Sequence, residues 1–224
     1  MGCQPHQGAG YFPVADKKIQ NFYTEKYGVV HPTKAGLKIP EIFDGAINKE
    51  VKAVWIIGED VVQTDPNSAH VAKAMNSLDL LVVQEIFMSE TAKHADVVLP
   101  GTTFLEKDGT FTNTERRVQR VNRAAKPLPG TKPDGVIVTE MMQKLGYNQP
   151  LYDADQVLAE IADVVPFFKG ITRERLGKLG LQWPVKEDGT DTKILHQKEF
   201  KLGKGRLKYF DWKESSEIEE NKKD

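Results

Sequence analysis

The chain has 224 residues, of which 39% are hydrophobic and 28% charged, and its formal net charge at pH 7 is −1. This composition is typical of a globular protein of one or two domains that buries its core without disulfides. A charge near zero gives no attraction to nucleic acid or an anionic membrane, and no apolar run approaches the ~18 residues of a membrane helix. We therefore expect no nucleic-acid partner and no membrane insertion.

Cys3 is the only cysteine of the chain. A single cysteine excludes an internal disulfide framework and any iron–sulfur or zinc site built on CxxC pairs. The first residues lack the basic and apolar segments of a signal peptide, and His6 stands where N-myristoylation requires Ser or Thr. These features fit a reducing compartment, and we expect a cytoplasmic protein.

The first elements in chain order are helical. Residues 1–13 are rich in glycine and proline and are predicted to be irregular. The spacing of apolar residues predicts a helix over 15–27, which Gly28 ends, and a short helix over 40–48.

Three short apolar runs follow and are typical of buried parallel strands. They span residues 51–57, 78–84 and 95–100. Between the first two, Asp65 is predicted to cap a helix whose first residue is Pro66. Strand, helix and strand at this spacing form a βαβ unit, so the sheet is expected to be mainly parallel, in an α/β fold.

The second half of the chain is predicted to be mostly helical. Its predicted elements are an irregular stretch over 101–133, helices over 134–145, 154–164 and 172–179, and a hairpin within 199–212 that turns at Gly203. We divide the chain into an α/β domain over 1–147, a helical and hairpin extension over 148–212, and a charged, disordered tail over 213–224.

Polar residues follow each predicted strand, where ligands bind in open parallel sheets. They are Gly58, Glu59, Asp60, Thr64 and Asp65 after the first strand, Gln84 and Glu85 after the second, and Thr102, Thr103, Glu106 and Lys107 after the third. Because parallel strands end at the same edge of a sheet, the three groups are expected to meet there.

These residue types suit a nucleotide. The Glu85 carboxylate can accept hydrogen bonds from ribose hydroxyls or from the paired N–H donors of guanine, and Lys107 can neutralise a pyrophosphate or hold a ring carbonyl. The sequence contains neither GxGxxG nor a P-loop motif. Structural roles stay open: Asp65 and Asp134 as helix caps, Asp60 as a strand end, and Glu106 and Lys107 as solvated charges.

The blocks GEDVVQTD, VVQEIFMSETAKHADVVLPGTTFLEKDGTFTNTERRVQR and GKGRLKYFDW resemble, in order and spacing, blocks of molybdopterin-guanine-dinucleotide oxidoreductases, and best those of formate dehydrogenase catalytic subunits. The resemblance implies a Rossmann-like sheet flanked by helices. It also implies a molybdopterin guanine dinucleotide cofactor with molybdenum or tungsten. The implied reaction is the two-electron conversion of formate to carbon dioxide in the complete enzyme.

The resemblance also assigns residues, one position at a time. Gly58 and Glu59 match a loop that touches a guanine nucleotide, with Asp60 beside them. Gln84 and Glu85 match the pair on its ribose and base, although Glu85 stands where Asp is commoner. Lys107 and Asp134 match residues placed against the same dinucleotide, and Thr64 and Asp65 are weaker matches. No catalytic residue and no metal ligand is assigned within this chain.

The same family places its iron–sulfur cysteines and its Cys or selenocysteine metal ligand in regions that this chain does not contain. We therefore expect the isolated chain to be inactive. Its expected partners are the remainder of a catalytic subunit and iron–sulfur or flavin electron-transfer subunits. Two alternatives stay open: a non-catalytic scaffold subunit of a redox complex, and a fragment of a nitrate reductase-like enzyme.

Overall fold

A computed structural model of the chain describes residues 5–186, 188–200 and 203–212. The chain divides into two compact units, Met1–Asp191 and Thr192–Asp224. Cys3 and the charged tail predicted over 213–224 lie outside the described residues. Within the described part, none of the helices combines the length and the apolar character needed to cross a membrane.

The three predicted strands form a parallel sheet in the order β1 (Ala53–Ile57), β2 (Leu80–Glu85) and β3 (Val97–Pro100). The register sets Ile57 opposite Gln84, and Gln84 opposite Leu99. The carboxyl ends of all three strands therefore lie at one edge. This confirms the α/β prediction and the expected meeting of the strand ends.

The sheet packs against the helices α2 (Ile39–Ile47), α3 (Val61–Thr64) and α4 (Ser68–Ser77). The core between them consists of fully or nearly fully buried apolar side chains: Phe43, Ala46, Ile56, Val71, Ala74, Met75, Leu81, Val83 and Ala92. The apolar positions of α4 recur at helical spacing, so its inner face fills this core.

The predicted start of α4 was wrong. Asn67, and not Asp65, caps this helix, because its Oδ1 accepts the backbone N–H of His70 at 3.1 Å. Asp65, two residues before Asn67, accepts the backbone N–H of Asn67 at 3.0 Å. Two consecutive side-chain acceptors thus shape this turn, and the helix begins later in the chain than predicted.

A second core lies under α1 (Lys17–Tyr27), which ends at Gly28 (φ 69°), as predicted. Asp16 caps this helix, which begins two residues later than predicted. The second core also involves α6 (Ala154–Val164) and α7 (Arg173–Leu176), whereas none of its described members comes from α5 (Asp134–Lys144). Its buried members are Tyr23, Val118, Leu158, Val164, Val165, Phe168, Ile171 and Leu176. Helix α7 is shorter than predicted, because Gly177 leaves the helical conformation at φ 51°.

The prediction of an irregular stretch over 101–133 was wrong. This stretch contains the antiparallel strands β4 (Gly109–Thr112) and β5 (Arg117–Val121), and β6 (Leu181–Gln182) pairs with β5. Only Val118 of β4 and β5 is fully buried, whereas the other positions are half-buried or exposed. A single buried residue leaves too little alternation for a strand to be recognised from sequence.

The prediction of a hairpin within 199–212 was also wrong. Among its described residues there is one bridge, between Phe200 and Gly203, and no strand. The apolar side chains of Leu207, Tyr209 and Phe210 are largely exposed. Without packing for either face, an isolated two-strand ladder gains too little to form.

We predict that Leu81→Ala lowers the free energy of unfolding by about 2–5 kcal/mol, because Leu81 is fully buried in the core under the sheet. Its neighbour Leu80 lies on the same strand but is 42% exposed, so Leu80→Ala is the matched control and should cost about 1 kcal/mol or less. Chemical denaturation followed by circular dichroism measures both. Equal losses would contradict the burial assigned to β2.

Candidate functional site

Three of the predicted site residues form one bonded cluster at the carboxyl end of β2. Gln84 Nε2 donates to Asp134 Oδ1 at 2.8 Å. Lys107 Nζ donates to Asp134 Oδ2 in an ion pair. The three side chains come from β2, from the turn before β4 and from the start of α5. We call Gln84, Lys107 and Asp134 the edge cluster.

The position of Asp134 follows from its local sequence. Pro133 stands just before α5 with extended backbone, and Asp134 is the first residue of the helix. Gly101, which follows β3, leaves room for the carboxylate: a Cβ built on Gly101 would lie 3.2 Å from Asp134 Oδ1. Asp134 therefore points across the end of the sheet, where both its oxygens accept donors from other elements.

The edge cluster holds a fixed pair of opposite charges. Burial alone would raise the pKa of Asp134, but the hydrogen bonds from Lys107 and Gln84 outweigh it and hold that pKa below its ordinary value of 3.8. The side chain of Lys107 is only 26% exposed. At neutral pH the cluster thus presents an ionised carboxylate and a partly enclosed ammonium group.

Two buried polar atoms near the strand ends have no hydrogen-bond partner among the described residues. They are Gln84 Oε1 and Thr102 Oγ1, on side chains that are 0% and 1% exposed. Leaving such a group unpaired costs about 1–3 kcal/mol, and most buried polar groups in proteins avoid it. Thr102 had no assigned role from sequence, and its place directly after β3 was the one available signal.

Glu85 and Gly58 lie beside the edge cluster. Gly58 donates its backbone N–H to the carbonyl of Gln84 at 2.9 Å, which links the ends of β1 and β2. Its φ is 63°, and no atom lies within 4 Å of where a Cβ would be. Glu85 is half-buried, and its Oε1 accepts the backbone N–H of Ile86 at 2.7 Å. The second carboxylate oxygen of Glu85 has no hydrogen-bond partner among the described residues.

The remaining predicted residues form a separate group on the loop after β1. Glu59 accepts a hydrogen bond from Thr64 Oγ1 at 2.7 Å at an exposed position. Asp60 accepts the backbone N–H and the hydroxyl of Thr91, at 2.9 and 2.6 Å, and the backbone N–H of Glu90 at 3.2 Å. Burial raises the pKa of Asp60, but these bonds outweigh it and hold that pKa below its ordinary value. Asp60 therefore ties this loop to the turn before β3.

Glu106 is buried, which excludes the solvated-charge alternative for this residue. Its Oε2 accepts the backbone N–H and the hydroxyl of Thr103, both at 2.9 Å, and its Oε1 accepts the backbone N–H of Leu128 at 3.0 Å. These bonds hold the pKa of Glu106 below its ordinary value. Glu106 thereby fixes the turn that carries Lys107.

A cleft of about 310 Å³ opens beside the edge cluster, between β4 and α6. Its lining includes Lys107 and Asp134, the rings of Phe104, Phe111 and Tyr152, and aliphatic side chains of α6. Tyr152 packs over Gly135, where no side chain larger than hydrogen fits. Burial, followed by the nearby Asp134 charge, raises the pKa of Tyr152. Sequence reasoning missed Tyr152, because no local pattern indicates which residue covers a helix glycine.

Comparisons with known proteins identify relatives over most of the chain. Residues 9–144 match the family model of the molybdopterin oxidoreductases. The F420-dependent formate dehydrogenase subunit alpha of Methanocaldococcus jannaschii is 41% identical over 223 residues, which covers 97% of this chain and 33% of that protein. A Staphylococcus haemolyticus protein provisionally named a formate dehydrogenase is 40% identical over 211 residues, covering 94% of this chain and 21% of the relative.

The chain therefore spans about a fifth to a third of the length of these curated relatives. Among solved structures, the acetylene hydratase of Pelobacter acetylenicus matches with a TM-score of 0.47 and 23% identity, over 58% of this chain and 19% of the hydratase.

We predict that Asp134→Asn reduces stability at neutral pH by about 1 kcal/mol or less, since a partly exposed ion pair is screened by water. The folded pKa of Asp134 is depressed, so its contribution is complete above the ordinary value of 3.8 and is lost as the pH falls through the folded pKa. The variant should converge with the parent below that value. Unfolding midpoints measured across the acid range test this, and a pH-independent gap would contradict it.

Proposed function

Because the chain belongs to the molybdopterin oxidoreductase family, we propose that it forms the dinucleotide-binding part of a formate dehydrogenase-like catalytic subunit. The family implies a molybdopterin cofactor with molybdenum or tungsten, and the bound metal supplies the two-electron chemistry that converts formate to carbon dioxide. The relatives at about 40% identity that carry formate dehydrogenase names support this choice of substrate.

The observation that carries the proposal is the edge cluster at the carboxyl end of the parallel sheet. Ligands of open α/β sheets bind there, and Gln84, Lys107 and Asp134 converge on that edge from three separate elements. The unpartnered oxygens of Gln84 and Thr102 mark the same strand ends as polar. The residues present therefore fit a polar, nucleotide-like group.

The proposed form of the cofactor is the guanine dinucleotide. Guanine offers two adjacent N–H donors, which a carboxylate accepts in parallel, one on each oxygen. Glu85 Oε2 has no partner among the described residues, and Oε1, which accepts the Ile86 N–H, keeps a second lone pair. Glu59, on the loop after Gly58, offers a second exposed carboxylate, in which Oε1 already binds Thr64. The Lys107 ammonium would hold a carbonyl or phosphate oxygen.

The charge balance of the edge cluster favours a directed contact over simple phosphate attraction. Lys107 and Asp134 cancel each other's net charge, so the long-range attraction for an anion is weak. What remains is a set of fixed donors and acceptors beside a cleft lined by aromatic rings. Such a site selects a hydrogen-bonding pattern, as a base or a ribose presents, more than charge alone.

Within this proposal, residues 1–147 are the cofactor-binding part, and Asp60, Thr64 and Asp65 shape the loop that approaches the dinucleotide. The proposed partners are the remainder of the catalytic subunit and iron–sulfur or flavin electron-transfer subunits in the cytoplasm. The chain alone is proposed to be inactive.

The first experiment measures the metal and nucleotide content, and the activity, of the complete native polypeptide that contains this chain. We expect molybdenum or tungsten by mass spectrometry, GMP released by acid hydrolysis in fixed ratio to the metal, and formate oxidation with an artificial electron acceptor. A native polypeptide without metal and without GMP would replace the proposal by the scaffold alternative. Metal and GMP with nitrate reduction in place of formate oxidation would reassign the substrate.

We predict that Glu85→Gln in that polypeptide lowers cofactor content and formate oxidation together. A charge-assisted hydrogen bond contributes about 1.5–3 kcal/mol, so the affinity should fall about 10- to 100-fold. Glu140→Gln is the matched control, because Glu140 pairs with Lys132 on the exposed side of α5. Unchanged metal, GMP and activity in Glu85→Gln would remove Glu85 from the site.

A further inference from the structure

We propose that Gln84 is a positioning residue: it acts on the bound nucleotide through Asp134 and Lys107 and does not touch the nucleotide itself. This inference rests on the proposed function, which it deepens by giving Gln84 a role different from the ribose or base contact that the family resemblance implies.

The Gln84 side chain is enclosed by the protein, out of reach of a ligand. The side chain of Gln84 is 0% exposed, and its Oε1 is covered as completely as the rest of the amide. Its backbone carbonyl accepts the N–H of Gly58 at 2.9 Å, so the residue is held from the β1 side as well. Neighbouring Glu85 is half-buried and is the residue of this pair that a ligand can reach.

The second support is the direction of the hydrogen bonds. An ionised carboxylate only accepts hydrogen bonds, and Asp134 receives one from Gln84 and one from Lys107, on separate oxygens. Turning the Gln84 amide over would set its oxygen against Asp134 Oδ1 and leave that oxygen without a donor. The bond to Asp134 therefore fixes the amide orientation, even though it leaves Gln84 Oε1 without a partner among the described residues.

The consequence concerns Lys107. The bond from Gln84 fixes one oxygen of Asp134, and the other oxygen then fixes the Lys107 ammonium group, which lines the cleft. Three further titratable groups lie in this part of the chain. Asp108 and Tyr152 line the same cleft, and Lys132, which comes just before α5, is paired with Glu140. Gln84 is the neutral donor that favours the ionised form of Asp134 without adding charge.

Two variants separate positioning from space filling. Gln84→Met keeps the length of the side chain and removes the donor. Gln84→Glu keeps the shape, but at neutral pH it sets a second carboxylate against Asp134. When the introduced carboxyl group is protonated, it regains an O–H donor toward Asp134, so acid should rescue this variant.

The measurement is the unfolding midpoint of the chain and its two variants at about pH 7 and about pH 4, each compared with the parent at the same pH. At neutral pH we expect Gln84→Glu to lie below Gln84→Met, because two facing carboxylates repel. The folded pKa of the new carboxyl is raised, so its penalty grows as the pH rises from the ordinary glutamate pKa toward the raised one, and it disappears in acid. In acid the order should invert. The same order at both pH values would overturn the proposal.

Two controls sharpen the result. In an Asp134→Asn background, Gln84→Met should add no pH-dependent loss, because the acceptor whose ionisation it serves is gone. Gln182 is the matched buried glutamine: its Nε2 donates to the Glu115 backbone carbonyl and carboxylate, in contacts separate from the edge cluster. Gln182→Met should lower stability yet leave the cofactor content of the complete polypeptide unchanged.

The two proposals fail separately. The inversion needs no cofactor, so it tests positioning even if the complete polypeptide binds no pterin. With cofactor present, we expect Gln84→Met to lower GMP content about 10-fold, and Lys107→Met to lower it no further when both are combined, since both act through one contact. Full additivity of the two losses would show that Gln84 contacts the nucleotide itself, which would overturn the proposal.

Discussion

The end of β2 is the constraint on which the site depends. Gln84 is tied to β1 through its backbone carbonyl and to α5 through its side chain, so one buried residue links the sheet to the helix that carries Asp134. The residues before it, Leu81 and Val83, are fully buried in the core. The packing of the core therefore fixes the register of β2, and the register in turn fixes where the amide of Gln84 meets the carboxylate.

The acidic residues at this edge differ in how many of their acceptor sites the protein itself uses. Asp60 and Glu106 direct both carboxylate oxygens at backbone N–H groups or hydroxyls, and they hold loops in place. Glu85 uses one oxygen on the next residue's N–H and is only half-buried. A carboxylate whose acceptors are filled has little to offer a ligand. The number of free acceptor oxygens thus distinguishes Asp60 and Glu106, which hold loops, from Glu85, which is proposed to bind the nucleotide. All three follow strand ends in the sequence.

The parallel sheet and helix α1 could be predicted from the sequence, because their signals are local. β-Branched apolar runs indicate buried strands, Gly58 ends the first of them, and Gly28 ends the helix. The cap of α4 was misplaced because Asp65 and Asn67 are both good capping residues, and only the path of the chain decides between them. Strands β4 and β5 were missed because only Val118 in them is fully buried, and β6 was missed because it lies far from β5, its partner, along the chain.

The edge cluster shows the same limit more sharply. Position after a strand was enough to select Gln84 and Lys107 as site residues, and the resemblance selected Asp134. The bond between Gln84 and Asp134, however, spans 50 residues of chain. It also needs Gly101, since a side chain there would crowd Asp134 Oδ1, and it lies beside Gly135, over which Tyr152 packs. Glycine in a sequence indicates backbone freedom, but here the absence of a side chain matters because of what approaches from another element. Sequence patterns therefore select the residues of this site. The hydrogen bonds between these residues decide whether each one binds or positions, and they follow only from the packing of α5 and the Tyr152 segment against the sheet edge.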